Sequence, residues 1–199
     1  MQPIFSSSLG DHTVCRVASL DAAGEAEPLI ALFESIAHEQ GWKSDAQLLA
    51  YPSSSIYLGL YVDDELAGGL QLVRGGTQEG LPCLTVWPEL PLHRRSDVAD
   101  IALLALDLKY RGHTKVLFAL LWNHILRVCQ ENGIAELWAE VAPFNLPLYR
   151  RLGWPLEVMS ELRPHWGEEC YPCRIEVEEA ANKMQKKAQS NSGNHVSLQ

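Results

Sequence analysis

A chain of 199 residues, 47% hydrophobic and 21% charged, suits a single globular domain built on one sizeable core. Its formal net charge of -9 is the reverse of what a dedicated nucleic-acid binder carries. No stretch approaches the ~18–20 uninterrupted apolar residues of a membrane span, and MQPIFSSSLGDH has neither the basic nor the apolar part of a secretory signal.

Residues 13–19 (TVCRVAS) alternate like a first strand. Pro28 sits near the first turn of a helix, where its missing N–H costs nothing. Leu29, Ile30, Leu32, Phe33, Ile36 and Ala37 follow at helical spacing, and Gly41 stops the run. A short second helix is expected over 45–51. Residues 56–62 and 65–73 form a hairpin turned at Asp63-Asp64. Beyond the loose loop of Gly75, Gly76 and Gly80, residues 84–87 read as a strand, and 97–107 are apolar enough for a central strand. The long helix, 114–132, gathers Leu117, Leu120, Leu121, Ile125 and Val128 on one face and ends at Gly133. Residues 135–141 form a strand and 146–152 a short helix closed by Gly153. Residues 154–159 and 173–177 supply the last strands. The domain is drawn over 1–179. Residues 180–199, rich in Lys, Gln, Ser and Asn, bury too little apolar area to offset their ordering entropy, so frayed helix and then disorder are expected.

Five scattered cysteines do not make a disulfide framework, and they point to a reducing cytoplasm. Cys170 and Cys173 form a CxxC that runs into the alternating CRIEVE. That places it in a strand rather than at a helix start, where a redox pair gains a lowered thiol pKa. No second CxxC or histidine pair completes a zinc set, so no metal is expected.

YRGHTK, residues 110–115, follows a strand and opens a helix. Unpartnered amides and the helix dipole there favour an anion, and Lys109, Arg111 and Lys115 surround the turn. A phosphate or pyrophosphate is the natural guest; the alternative is a solvated basic turn capped at Thr114. Asp100 is an acidic residue inside the apolar VADIALLAL, where burial would raise its pKa toward a base's working range. It would otherwise lie on the solvent side or pair with Arg94 or Arg95.

The order strand, RG turn, amphipathic helix, strand and NLPLYRRLGW, over 106–154, resembles the acyl-CoA-binding half of the GNAT N-acyltransferases. It covers about a quarter of the chain closely. The resemblance implies an α+β, three-layer fold: a central, mostly antiparallel mixed sheet flanked by helices. It also implies attack by a small-molecule amine on an acyl thioester, with acyl-CoA (acetyl-CoA) or acyl-phosphopantetheine as co-substrate and no permanent cofactor. By that resemblance Tyr149 protonates the departing thiolate, and Asp100, or else Glu89 in VWPEL, takes the amine proton. The backbone of Leu104, Ala105 and Leu106 holds the pantetheine arm and the thioester oxygen. Asn145 and the turn Arg111, Gly112, His113, Thr114, Lys115 and Val116 complete the donor site. Thr114 and Val116 stand where the family carries small residues, which narrows the approach of phosphate and favours a donor such as acyl carrier protein. His93, Arg94 and Arg95, together with the basic turn, would dock that acidic carrier or a CoA phosphate; otherwise they are a solvated loop.

LYRRLGWPLEVM, TVWPELPL and DIALL also resemble the acyl-homoserine lactone synthases and the long-chain N-acyl amino acid synthases, with Trp42 and Arg74 near positions where the lactone synthases carry Trp and Arg. Their central strand has an acidic-x-Ser-Arg-Phe run, whereas Asp100-Ile101-Ala102-Leu103-Leu104 has no Arg. Trp87, Trp122, Trp154 and Trp166 would line a fatty-acyl cleft; otherwise they are core residues. Residues 28–55 and 155–172 would form the acceptor site. A monomer or homodimer is expected. The rival reading is a GNAT domain that binds a ligand or partner without turnover.

Overall fold

The computed structural model describes residues 5–9, 13–20, 22–42, 51, 53–165 and 167–193. The expected helix at 45–51 falls, but for Tyr51, outside them, as does Trp166. The strands are β1 (Phe5–Leu9), β2 (Thr13–Leu20), β3 (Ser55–Val62), β4 (Glu65–Arg74), β5 (Val98–Leu106), β6 (Glu136–Val141), β7 (Glu157–Val158), β8 (Arg163–His165) and β9 (Glu168–Glu176). The helices are α1 (Ala22–Gln40), α2 (Thr114–Glu131), α3 (Leu146–Leu152) and α4 (Val177–Gly193).

The sheet runs β1-β2-β3-β4-β5-β6-β9-β7, with β8 also on β9. Every pairing is antiparallel except β5 with β6, which the α2 crossover joins. This is the α+β GNAT-type fold: a mixed sheet between helical layers. On one face, Leu117, Leu121, Ile125 and Val128 of α2 pack on Leu58, Leu60 and Leu137. On the other, Phe33, Ile36 and Ala37 of α1 pack on Leu103 and Ala105. No helix among the described residues is long and apolar enough to cross a membrane.

Several elements differ from expectation. Helix α1 begins at Ala22, so Pro28 lies inside it, on the exposed face, where water can take the carbonyl its missing N–H leaves. The strand expected at 84–87 is instead a 3-10 helix over Pro82–Thr85, set by the proline at its start. Only Glu157–Val158 of 154–159 pairs, whereas β9 begins at Glu168, and β1 and β8 are additional. Helix α4 starts at Val177. Ala180 is buried, and Ala181 and Met184 pack on the core, so the packed unit passes residue 179.

Candidate active site

The site exists because two strands part. Strands β5 and β6 pair only at Val98↔Glu136, Ala99↔Leu137 and Asp100↔Trp138. Arg95 pins the paired end, donating to Asp97 at 2.7 Å and Glu136 at 2.9 Å. Beyond Asp100, β5 stays paired to β4 as far as Gly68↔Leu106, which leaves its other edge facing a gap. The register with β4 skips Ala102, a β-bulge. The bulge breaks the two-residue alternation: Ala99 and Ile101 face α2, whereas Leu103 and Ala105 face α1.

A cavity of about 140 Å³ fills the inner end of the gap, lined by Trp42, Glu140, Tyr149, His165, Glu168 and Cys170 among others. A second cavity shares Trp42, Leu104, Asn145, Tyr149 and Glu168 with it and continues along Leu104, Ala105 and Leu106 to Arg111 and Thr114. The two together line a cleft from Arg111 and Thr114 to Glu140, with Tyr149 on the wall of both. Residues 28–55 contribute Phe33 and Trp42, and residues 155–172 contribute His165, Glu168 and Cys170. The Trp42 indole N–H donates to Glu168 Oε1 at 2.9 Å.

Helix α3 ends where Gly153 takes a left-handed φ of 103°, and the N–H of Trp154 returns to the carbonyl of Tyr149. That return lays the Trp154 indole on the Tyr149 ring. Burial pushes the Tyr149 phenol up to about 12, so it stays protonated at neutral pH.

Asp100 is buried, with 0% exposure, and its Oδ2 accepts the backbone N–H of Cys83 at 2.8 Å. It neither reaches solvent nor pairs with Arg94 or Arg95. Burial raises its carboxyl to about 6. Next to it stands Glu140 of β6, which does line the cavity. Burial, and then the charge of Asp100, push the Glu140 carboxyl well above the usual carboxylate range. Glu140 was not among the residues singled out from sequence. The available signal was an acidic residue in the apolar strand AELWAEV, the same oddity that marked Asp100. Cys83, Asp100 and Glu140 each bring one donor atom within 4.8 Å of the others. With three donors, one a thiol that burial pushes far up, the cluster fits a shared proton better than a zinc ion.

Glu89 lies elsewhere. It is exposed, salt-bridged to Arg163 at 2.9 Å, and absent from the lining of both cavities. A hydrogen bond from its own backbone, helped by Arg163, lowers its carboxyl pKa, the wrong direction for a base at neutral pH. Arg74 is likewise exposed at the end of β4 and lines neither cavity.

The basic segment is not a tight glycine turn but a 3-10 helix over Leu108–His113, started by Asp107, whose carboxylate accepts the N–H of Lys109 at 2.9 Å. Thr114 does not cap α2; its hydroxyl donates to the Arg111 carbonyl at 2.6 Å, and α2 has no side-chain cap. Arg111 and Thr114 line the cleft, whereas Gly112, His113, Lys115 and Val116 are exposed beside it. Lys109 is held by Glu65. His93, Arg94 and Arg95 lie before β5 and the basic turn after it, so the strand holds the two groups roughly 26 Å apart at ~3.3 Å per residue. They do not form one patch.

Of the tryptophans expected in a cleft, Trp154 lines it, while Trp87 and Trp122 are core. The CxxC thiols are buried and free, and burial pushes both up to about 12. Spaced by three on β9, they fall into different core clusters, Cys170 beside Trp87 and Cys173 beside Leu137.

The model of the N-acyl amino acid synthase FeeM family matches residues 42–172. The structure is similar to that of FeeM, an N-acyl amino acid synthase from uncultured soil microbes, with a TM-score of 0.67, 18% identity, and coverage of 86% of this chain and 96% of that one. It is also similar to BjaI, a CoA-dependent acyl-homoserine lactone synthase seen with SAM and isopentyl-CoA (TM-score 0.64, 14% identity, 87% and 89% covered). A candidate N-acetyltransferase of Lactobacillus plantarum matches as well (TM-score 0.59, 12% identity, 82% and 98% covered). No curated protein matches the sequence significantly.

Proposed function

The chain belongs to the FeeM family of N-acyl amino acid synthases, and from that premise we propose that it transfers an acyl group from a thioester to the amine of a small acceptor such as an amino acid, by direct attack in a ternary complex. One observation carries the reading: two cavities that share Tyr149 line the gap between β5 and β6 from Arg111, past the free edge of β5, to the half-buried Glu140 beside the buried Asp100.

The donor's phosphate lies at Arg111 and the start of α2, where backbone amides and the dipole favour an anion. Its pantetheine arm adds as a short strand to β5 along Leu104, Ala105 and Leu106. Edge amides polarise the thioester carbonyl as charge builds on its oxygen. The acceptor enters beside Trp42, His165 and Glu168. Burial keeps the His165 imidazole neutral, with its pKa lowered to about 4. Tyr149, near the middle of the cleft, gives its proton to the leaving thiolate. BjaI was seen with isopentyl-CoA, which supports a CoA thioester as donor. The tied Thr114 hydroxyl and the exposed Val116 replace the small residues of an open phosphate cradle, which supports a phosphopantetheine arm on acyl carrier protein as the preferred form.

The same substitutions favour a second reading, a domain that binds a thioester without turnover. Thiol release, measured with acyl-CoA and acyl-carrier donors of several chain lengths against a panel of amino acids and simple amines, separates the two. Amine-dependent release supports transfer; donor binding without release supports the binding domain. A strong preference for CoA removes the carrier-protein form.

A further inference from the structure

We propose that Asp100 and Glu140 act as one acid pair that shares a single proton, and that Glu140, the member lining the cavity, is the catalytic base that takes the acceptor's proton. This rests on the acyl-transfer reading above and supplies the base within it.

The geometry comes first. Asp100 pairs with Trp138 across the last rung before β5 and β6 part, and Glu140 follows two residues later on β6. One oxygen of each carboxyl lies within 4.8 Å of the other's. Each keeps one buried oxygen, Asp100 Oδ1 and Glu140 Oε1, that no N–H or O–H of the described residues reaches. A proton between them satisfies both oxygens; two bare carboxylates would leave both orphaned and repelling.

Among the described residues, the groups facing the pair offer no cation to neutralise it. Facing the pair are Tyr51 before β3, Cys83 on the 3-10 helix, and Cys170 and Cys173 on β9, with His165 and Glu168 lining the same cavity. None of these is a Lys or Arg, and burial keeps the His165 ring neutral. The pair therefore carries one proton and one negative charge at neutral pH, as two carboxyls this close must. The charge is fixed by the Cys83 N–H on Asp100 Oδ2.

Such a pair suits an acceptor that arrives as an ammonium. The single charge attracts the cation, and Glu140 accepts one of its protons as it passes the shared proton to Asp100, leaving both carboxyls neutral. The freed nitrogen lone pair forms the C–N bond as the C–S bond breaks. Sulfur leaves with the bonding electrons and takes a proton from Tyr149, and the amide nitrogen's surplus proton replaces it. The proton on the pair returns to solvent, so ammonium and thioester give amide, thiol and one H⁺. Asp100 never touches the acceptor. It is a positioning residue that tunes Glu140.

The test uses the full chain with the best donor and amine from the panel. Glu140→Gln is expected to lower kcat/KM about 10²- to 10⁴-fold and to abolish the acid limb of its pH profile. Asp100→Asn removes the shared proton and the charge site held by the Cys83 N–H, leaving Glu140 to carry the charge alone in its buried place, so the acid limb should move to higher pH. A purely structural Asp100 would lower Tm and leave the limb in place, and that result overturns the pair. Carboxyl titration by ¹³C NMR on the wild type needs no variant to fold; two carboxyls that both ionise below about pH 5 overturn it equally. A wild type that acylates no amine fails the transfer reading, and the base role with it. A wild type that turns over, with Glu140→Gln unchanged, fails the base role alone.

Discussion

The indole of Trp154 lies on the phenol of Tyr149, with ring centroids 5.1 Å apart and planes 16° from parallel. Trp154 is itself stacked on Trp122 of α2 at 4.4 Å, so the tyrosine is aimed into the cleft by a column of rings rooted in the core. Removing the hydroxyl and removing the column should therefore do different things. Tyr149→Phe is expected to lower kcat about 10²-fold or more with donor KM and Tm nearly unchanged. Trp154→Ala should cost about 3–5 kcal/mol of stability as well as rate. Steady-state kinetics beside thermal melts check both; an unchanged kcat in Tyr149→Phe removes the phenol from the chemistry.

Gly68 holds β4 against β5, the strand proposed to receive the donor. A Cβ there would meet the Ala105 carbonyl oxygen at 2.4 Å, a backbone atom that cannot swing aside. Gly68→Ala is expected to cost about 1–3 kcal/mol and, by pushing β5 into the gap, to raise donor KM more than it lowers kcat. Normal donor affinity in a destabilised Gly68→Ala would show that β5 does not carry the pantetheine arm.

Arg111 lines the cleft, while Lys109 is occupied by Glu65. Arg111→Ala should raise KM for acyl-CoA roughly tenfold, the loss of one charge-assisted contact. Lys109→Ala should change it less than about twofold, as expected of an exposed ion pair. Kinetics with both donor types check this, and equal effects of the two substitutions would remove the distinction.

Stability should depend on pH through Asp100, with a sign that linkage fixes. Its folded carboxyl titrates near about 6 against an ordinary 3.8. Between those values the folded chain keeps a proton that the unfolded chain releases, so this contribution is whole below the unfolded pKa and is lost as pH rises toward 6. His124 and His165, each lowered to about 4 by burial, act in the opposite direction, losing stability as pH falls below their ordinary 6.5. The clean observable is a difference. Asp100→Asn should gain on the wild type between pH 4 and 6 by on the order of 2 kcal/mol, read from paired denaturant melts. A constant difference would mean that Asp100 titrates normally.

The core of the fold could be read from local pattern. The crossover of β5, α2 and β6 follows from apolar runs and a 3.6-residue stripe, and α3 follows from Gly153, whose left-handed turn lays Trp154 on Tyr149. These are properties of neighbours in the chain. The 3-10 helix at 108–113 was less visible, because an Asp107 cap and an Arg-Gly pair suit a tight turn as well.

Relations between strands were beyond the sequence. Asp100 and Glu140 each look like one acid in an apolar strand, forty positions apart. They meet because Asp100 registers with Trp138, which puts Glu140 diagonally beside it where pairing stops. The gap itself comes from that stop, the bulge at Ala102 and the Arg95 clamp, none of which periodicity reports. Likewise, two basic clusters that look adjacent in the chain lie at opposite ends of β5, because an extended strand separates whatever it connects. Periodicity is a property of one segment, whereas register, burial and proton sharing belong to pairs of segments, and only packing chooses the pairs.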